Sequence, residues 1–239
     1  MKKIFFLSLV TIAMTGCING QFGKIKGSGH IVKESRTTGN FQAVQLAGSM
    51  DIILKQGSSF SVVVEGDDNI LEYIETVVKD NTLKVGVKST RTTWVSTKNI
   101  KVYVTLPELI AARVSGSGNI QTEDVFTTSG RFDASVSGSG NCKLNIKAQD
   151  LDAHISGSGS ITISGSANNA KVGVSGSGNY KGLNFETKDA DVHISGSGNV
   201  ETTVNGNLEA HISGSGDVRY KGNPTIKTKT AGSGRISKI

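Results

Sequence analysis

Apolar and polar residues alternate along most of the chain. Between positions 153 and 163 the odd positions are Ala, Ile, Gly, Gly, Ile and Ile, whereas the even positions are His, Ser, Ser, Ser and Thr. Alternation with a period of two is typical of a β-strand with one buried face and not of a helix. The pattern therefore predicts strands whose glycines and aliphatic residues face inward and whose hydroxyls face outward.

The same pattern returns at nearly constant intervals around the tetrapeptide Ser-Gly-Ser-Gly. Successive copies are separated by 22, 19, 19, 20, 18 and 18 residues. A fixed period of this size is the mark of a solenoid, in which each repeat forms one coil and stacks on the next. The sequence thus predicts an all-β parallel solenoid with coils of about 18–22 residues. The copies start at Ser115, Ser137, Ser156, Ser175, Ser195 and Ser213, and a variant copy starts at Ala231.

The repeated runs resemble those of the bacterial head GIN domain family, described as auto-transporter adhesins. The resemblance rests on segments such as 114–120 and 194–200, which read Val/Ile-Ser-Gly-Ser-Gly-Asn-Ile/Val, and on the upstream stretch 41–55. It implies a single-stranded right-handed β-helix and a role in adhesion. It covers nearly all of the chain after the N-terminal segment.

The first half of the chain is less regular than the second. Residues 44–52 repeat the inward pattern, and residues 83–87 and 102–106 alternate as strands do. Asp67, Asp68 and Asn69 precede apolar residues at helical spacing, which predicts one short helix running to about Lys79. We expect a single domain over residues 30–239, with an irregular part at 30–110 and regular coils at 111–239.

The N-terminus has the parts of a lipoprotein signal. Lys2 and Lys3 precede an apolar run over residues 4–13, which is shorter than the roughly 20 residues that a membrane-spanning helix needs. Small residues and Cys17 follow. We therefore expect a signal peptide over residues 1–16, acylation of Cys17 and a polar tether over residues 17–29. Ile18 is not an acidic retention signal, which favours the outer membrane and leaves open whether the domain faces the periplasm or the exterior.

Charge and cysteine content exclude some classes of function. The net charge is +6, or +4 once the two lysines of the signal segment are set aside, and the basic residues form no stripe with interleaved aromatics. Nucleic-acid binding is therefore not expected. If Cys17 is acylated, Cys142 is the remaining thiol, and its position in the alternation predicts a buried apolar side chain. Neither a cofactor nor an oligomeric state is indicated.

Serines and asparagines recur at outward positions of the repeats. Stacking of the coils would place like residues about 4.8 Å apart and form a polar grid suited to glycans or protein partners. Asparagine ladders also have a purely structural explanation, because stacked side-chain amides bond to one another. The residues predicted for this contact face are Ser115, Ser117, Asn119, Ser137, Ser139, Asn141, Ser175, Ser177 and Asn179.

An acid, a histidine and a serine alternate in three of the repeats, at 152–156, 191–195 and 209–213. Residues two apart on a strand lie roughly 6.6 Å from each other, which argues against a catalytic triad. Histidines of consecutive coils would nevertheless stack, with acids beside them. His193, His211, Asp191 and Glu209 are therefore candidates for a divalent metal site, although the spacing matches no fixed metal motif.

Two functions remain open. The first is a non-enzymatic envelope lipoprotein that presents its serine and asparagine face to glycans or proteins. The alternative is a polysaccharide-active lyase or hydrolase, since right-handed β-helices also host such enzymes. The short coils leave little room for the loops that wall a catalytic groove, and aromatic platforms for sugars are scarce, Trp94 lying in the irregular half. These features favour the binding module.

Overall fold

The computed structural model describes residues 24–88 and 93–239, and this part of the chain is all-β. It contains no α-helix within those residues, and a single 3-10 turn covers Leu71–Tyr73. No helix in the described segments is long and apolar enough to cross a membrane. The strands build a β-solenoid of about seven turns, which confirms the predicted architecture.

The irregular N-terminal part contributes nine strands. All except β1 and β8 belong to one large sheet, and those two pair with each other in parallel. The strands are β1 (Lys24–Lys26), β2 (Ile31–Arg36), β3 (Ala43–Gly48), β4 (Asp51–Gln56), β5 (Ser61–Asp67), β6 (Ile74–Lys79), β7 (Thr82–Val87), β8 (Thr93–Val95) and β9 (Lys101–Leu106).

The regular part winds through twelve further strands in parallel register. The longest of them, β16, β17 and β18, each continue without a break from one coil into the next. These strands are β10 (Ala111–Gly116), β11 (Asn119–Thr122), β12 (Phe126–Thr127), β13 (Arg131–Gly138), β14 (Asn141–Lys147), β15 (Asp150–Gly157), β16 (Ser160–Gly176), β17 (Asn179–Gly196), β18 (Asn199–Gly214), β19 (Val218–Lys221), β20 (Thr225–Gly232) and β21 (Ile236–Lys238).

The order of coils in the stack differs from their order in the chain at the N-terminal end. Strand β3 lies between β7 and β10, and β4 lies between β9 and β11, all in parallel. The chain therefore forms the β3–β4 coil, passes to the end layer that contains β7 and β9, and returns to the far side of β3–β4 at β10. Antiparallel pairs β2–β5, β5–β9 and β6–β7 complete this end.

The short helix predicted from residues 67–69 to about Lys79 is wrong. Residues 74–79 form β6, which pairs antiparallel with β7. Asp80 and Asn81 connect the two strands with φ of 52° and 57°, the left-handed conformation that tight hairpins use. Ile74 is buried whereas Val77 is 46 % exposed. The apolar spacing matched a helix by chance, because strand pairing with β7 decides which of these residues are covered.

The predicted signal peptide and Cys17 lie outside the described residues. The predicted tether, residues 17–29, overlaps the described residues at 24–29. Strand β1 pairs with β8, and the amide of Gly27 donates to the carbonyl oxygen of Val95 at 2.8 Å. Glycine and polar residues suggested a flexible segment, but their backbone groups bond to distant parts of the chain.

Glycines form the corner of each coil for two different reasons. The first glycine of each tetrapeptide has positive φ, for example 119° at Gly157, a region that L side chains rarely adopt. The second is buried against the coil below, so that a Cβ atom on Gly159 would lie 2.2 Å from the carbonyl oxygen of Gly140. The amides of Ser158 and Gly159 both donate to the carbonyl oxygen of Gly138. The tetrapeptide is thus a tight corner that stacks on itself.

The core consists of inward rows of aliphatic residues together with a few larger aromatic side chains. Phe132, Phe185 and Tyr180 are fully buried or nearly so. Cys142 is also buried, as its position in the alternation predicted, and burial raises the pKa of its thiol to about 12. The thiol is therefore protonated at neutral pH and shielded from reagents.

We expect Cys142 to react slowly with iodoacetamide in the folded protein. In a Cys17→Ser variant, where Cys142 is the remaining thiol, alkylation should be at least about tenfold faster in denaturant, because the thiolate is the nucleophile and burial disfavours it. Mass spectrometry of timed samples measures this. Equal rates with and without denaturant would contradict the buried position.

Candidate functional site

Outward serines line up from coil to coil along one edge of the corner. Register pairs Ser115 with Ser137, and the pairing continues through each following coil. All six side chains are exposed, and no hydrogen bond between described residues uses their hydroxyl groups. We call this set the serine ladder: Ser115, Ser137, Ser156, Ser175, Ser195 and Ser213.

The serines at the corner itself, among them the predicted contact residues Ser117, Ser139 and Ser177, are exposed as well. Their amides donate to the first glycine of the coil below, as Ser139 does to the carbonyl oxygen of Gly116 at 2.9 Å. Their hydroxyl groups likewise take part in none of the hydrogen bonds between described residues. Two parallel rows of available hydroxyls therefore run along the solenoid.

The asparagines beyond the corner bond to one another. The side-chain amide of Asn119 donates to Asp51 at 2.7 Å, and that of Asn141 donates to the side-chain oxygen of Asn119 at 2.9 Å. Asn199 donates in the same way to Asn179 at 3.1 Å. Several amide groups in this row are consequently hydrogen-bonded inside the stack. The row acts first as a brace between coils and leaves only its outer edge for a ligand.

Acids and histidines occupy the outward rows next to the serine ladder. The rings of His193 and His211 stack with centroids 4.8 Å apart and planes inclined by 11°. His193 Nδ1 lies 3.0 Å from Asp191 Oδ1, and His211 Nε2 lies 3.0 Å from Glu209 Oε1. The structure thus brings together all four residues that the sequence proposed for a metal.

The spacing of roughly 6.6 Å between residues two apart on a strand does not keep these acids and histidines apart. Their Cβ atoms are far apart, but the side chains bend toward each other along the strand and close the gap. Serine is not included, since no hydrogen bond between described residues joins Ser195 to His193. A nucleophile activated by histidine is therefore not assembled in this row.

Each imidazole already has an acidic neighbour, and Glu209 has a second partner. Lys227 donates to Glu209 Oε1 at 2.8 Å. This bond, followed by the one to His211, lowers the pKa of Glu209, and Glu209 in turn raises the pKa of Lys227. Among the described residues no group of three or more His, Cys, Asp or Glu side chains is placed to hold a metal ion. The arrangement is a set of polar contacts between neighbouring side chains on a solvated face.

A shallow groove of about 400 Å³ runs between the histidine row and the serine ladder. Gly173 interrupts the histidines: a Cβ atom there would lie 2.9 Å from His154 Nδ1, so the ring of His154 lies over this glycine. Lys229 closes the groove at the last coil. Neither Gly173 nor Lys229 was among the residues predicted from the sequence. Alignment of the repeats could have found them, because each takes the place of a histidine in its coil.

Asp67 is a second residue whose role sequence reasoning missed. Its carboxylate is fully buried and accepts four hydrogen bonds: from the amides of Gly29 and Thr97 at 2.7 and 2.8 Å, and from the hydroxyls of Ser96 and Thr97 at 2.5 and 2.7 Å. Burial alone raises the pKa of a carboxyl, but the bonds from Ser96, Thr97 and Gly29 outweigh it and hold the pKa of Asp67 well below its usual range.

This carboxylate ties three separate segments together. Gly29 follows β1, Asp67 ends β5, and Ser96 and Thr97 follow β8. The neighbouring Asp68 accepts a bond from the Ser28 hydroxyl at 2.6 Å, and Asn69 donates to the carbonyl oxygen of Lys26 at 2.9 Å. The residues that suggested a helix cap instead fasten the small β1–β8 sheet to the solenoid.

A family model described as "Putative auto-transporter adhesin, head GIN domain" matches residues 40–224. No curated protein matches the chain. The matched range begins just before β3 and ends just before β20, so it spans the serine ladder and the acid–histidine rows.

Solved structures of proteins from Bacteroides fragilis and Parabacteroides distasonis share the fold. A putative adhesin from Bacteroides fragilis is 26 % identical, covers 90 % of this chain and 100 % of its own, and superposes with a TM-score of 0.85. A putative lipid binding protein from Parabacteroides distasonis is 26 % identical over 90 % of this chain and 99 % of its own, with a TM-score of 0.76. A putative adhesin from the same organism is 25 % identical over 90 % and 100 %, with a TM-score of 0.74.

Proposed function

Because the chain belongs to the family described as "Putative auto-transporter adhesin, head GIN domain", we propose that it is a non-enzymatic binding module of the cell envelope. Its contact surface is the serine ladder with the adjoining corner serines, and its ligands are extended glycans or protein segments. An extended ligand suits this surface since equivalent groups recur once per coil, about 4.8 Å apart.

The observation that carries the proposal is the availability of the hydroxyl groups. Six ladder serines are exposed in register, and no hydrogen bond between described residues engages their hydroxyls. A hydroxyl can donate one hydrogen bond and accept two, so a row of them can follow a polymer rich in hydroxyl or amide groups. The apolar floor of the histidine groove beside the ladder would cover the less polar face of such a ligand.

The proposed attachment to the envelope is through lipid on Cys17. The basic start, the short apolar run and the small residues before Cys17 support it, and an outer-membrane destination is proposed from the absence of an acidic residue at position 18. Two or three acyl chains would hold the domain stably, since each buried methylene contributes about 0.8 kcal/mol. Metabolic labelling with a palmitate analogue, lost in a Cys17→Ala variant, together with protease shaving of intact cells, tests the anchor and its orientation.

Removal of ladder hydroxyls should weaken ligand binding. For a triple Ser156→Ala, Ser175→Ala and Ser195→Ala variant we expect roughly tenfold to thousandfold weaker binding, because three hydrogen bonds worth about 0.5–1.5 kcal/mol each are lost. Solid-phase assays on neutral glycans, pectin, alginate and extracellular-matrix proteins measure it. The matched control replaces Ser58, Ser59 and Ser129, three exposed serines outside the ladder.

Equal binding by the ladder variant and wild type would contradict the proposed surface. The same polymers also test the enzymatic alternative, for which the contact between Asp191 and His193 offers the candidate residues. Cleavage of pectin or alginate by the wild type, abolished in an Asp191→Asn or His193→Ala variant, would overturn the non-enzymatic proposal.

A further inference from the structure

Positive charge is concentrated in the last part of the chain. Residues 218–239 contain six Lys and Arg and no Asp or Glu. The whole chain carries 26 basic and 20 acidic residues, so the remainder has 20 of each and is neutral. We call residues 218–239 the terminal segment; it comprises β19, β20 and β21. An end coil needs polar residues to face water, but charge of a single sign goes beyond that need.

The last coil of this segment has an unpaired edge in the described part of the chain. Strand β20 pairs with β18 on one side and β21 pairs with β19, and no described strand lies on the other side of either. All eight residues of β20 are exposed. A long edge with free amides and carbonyls is a template for one more strand. At the opposite end of the solenoid, antiparallel strands cover the first parallel coil.

The covered side of β20 shows what chemistry its open side would accept. On the covered side, β18 places Leu208, Ala210 and Ile212 inward, in register with Ile226, Thr228 and Thr230. Glu209, which lies between Leu208 and Ala210 on β18, faces outward, and its Oε1 atom lies 2.8 Å from Nζ of Lys227 on β20. On its covered side, β20 is therefore paired with a strand whose inward residues are apolar and whose outward residue opposite Lys227 is an acid.

From this geometry we propose that the terminal segment is a docking edge for an extended acidic segment of a partner protein, which adds to β20 as a further strand. Its inward residues are apolar and cover Ile226, which is 41 % exposed. Its outward residues are Asp or Glu and face Lys227 and Lys229. Backbone hydrogen bonds along the edge supply affinity, and the alternation of apolar and acidic residues supplies specificity.

A second copy of the chain fits this edge poorly. Two β20 strands paired with each other would bring Lys227 and Lys229 of both copies together, and like charges directly opposite on neighbouring strands are destabilising. Thr228 and Thr230 place polar hydroxyl groups at inward positions of the exposed strand, which lowers its tendency to aggregate while no partner is bound. The observed charge therefore selects an acidic partner over self-association.

The first experiment measures binding of a fluorescein-labelled peptide with the sequence of residues 189–196, Asp-Ala-Asp-Val-His-Ile-Ser-Gly, by fluorescence anisotropy. It carries Asp189 and Asp191 at outward positions and apolar residues at the inward ones, so that pairing with Asp191 opposite Lys229 also places Asp189 opposite Lys227. Lys229→Glu in the protein should weaken binding by roughly fivefold or more, because an attractive charge becomes repulsive. The matched control is Lys147→Glu, which makes the same charge change at an exposed lysine of β14. Unchanged thermal unfolding of both variants shows that each is folded.

The second experiment uses unaltered protein and separates strand addition from simple charge attraction. Two versions of the peptide carry N-methyl groups, one on the odd and one on the even residues, so that each loses the amide donors of one edge. Strand addition uses donors on one edge only, so one version should bind as the parent does and the other should lose binding at least tenfold.

Three outcomes would overturn the proposal. Equal binding of both methylated peptides would indicate charge attraction without pairing. Equal binding of a peptide with Asp189→Lys and Asp191→Lys would exclude the acidic preference. Binding to vesicles containing phosphatidylglycerol, with no binding of the peptide, would identify an anionic membrane surface as the occupant instead.

Discussion

Replacement of Gly157 by alanine is expected to destabilise the domain by on the order of 3 kcal/mol. Two effects add. Residues held in backbone regions reserved for glycine cost about 1–3 kcal/mol, and φ at Gly157 is 119°. A Cβ atom would also lie 2.5 Å from the carbonyl oxygen of Gly138 in the coil below, and backbone there cannot move without breaking the stack. Chemical denaturation of wild type and variant measures the change.

Gly130→Ala is the matched control. Gly130 is exposed, its φ is not positive, and a Cβ atom there would meet nothing within 4 Å. The same substitution should therefore leave stability within about 0.5 kcal/mol of wild type, or raise it slightly through the unfolded state. If both variants lost stability equally, corner geometry would not be what requires glycine in the repeated tetrapeptide.

Replacement of Asp67 by asparagine is expected to cost about 3 kcal/mol at neutral pH. The four groups around the carboxylate are all donors, and the new side-chain amide would direct its own hydrogens at two of them. Asp68→Asn is the control, because Asp68 is exposed and its bonds to Ser28 and His30 lie in solvent. Its cost should stay below about 1 kcal/mol. Equal losses from the two variants would contradict the conclusion that the Asp67 carboxylate holds these three segments together.

The effect of Asp67 also depends on pH in a defined direction. Its pKa is lower in the folded state than in the unfolded chain, so the ionised carboxylate contributes its full stabilisation above about pH 4 and loses it as pH falls through the folded-state pKa. The free energies of unfolding of wild type and Asp67→Asn should therefore converge on acidification from neutral pH to about pH 2.5. A difference that stayed constant over this range would exclude Asp67 as the titrating group.

The solenoid could be predicted because its determinants are local and repeated. Inward alternation, a glycine pair at each corner and a period near 19 residues are all visible along the chain. Each coil shows the same alternation and the same glycine pair, so the prediction does not depend on any single repeat. The burial of Cys142 and the stacking of His193 on His211 followed from the same register.

The contacts within the candidate surface were less predictable. Strand spacing placed the histidines and acids in adjacent outward rows, but side-chain rotation decides that Asp191 and Glu209 reach the imidazoles at 3.0 Å. Gly173 lines the groove beside the serine ladder, and its lack of a side chain leaves space for the ring of His154. No local pattern marks such a position, because the ring of His154 that fills the space comes from the preceding coil.

By itself the sequence determined the coil: which residues face inward, where each corner turns and how far apart equivalent groups stand. Only the tertiary structure decided how the stack begins and ends. Strand β3 lies between β7 and β10, residues 74–79 pair as a strand, and a buried carboxylate at Asp67 joins segments about 30 to 40 residues away. The physical reason is that each repeat contains the alternation and the glycines that specify its own coil. The N-terminal end of the stack is instead closed by hydrogen bonds between distant segments that share no periodic pattern.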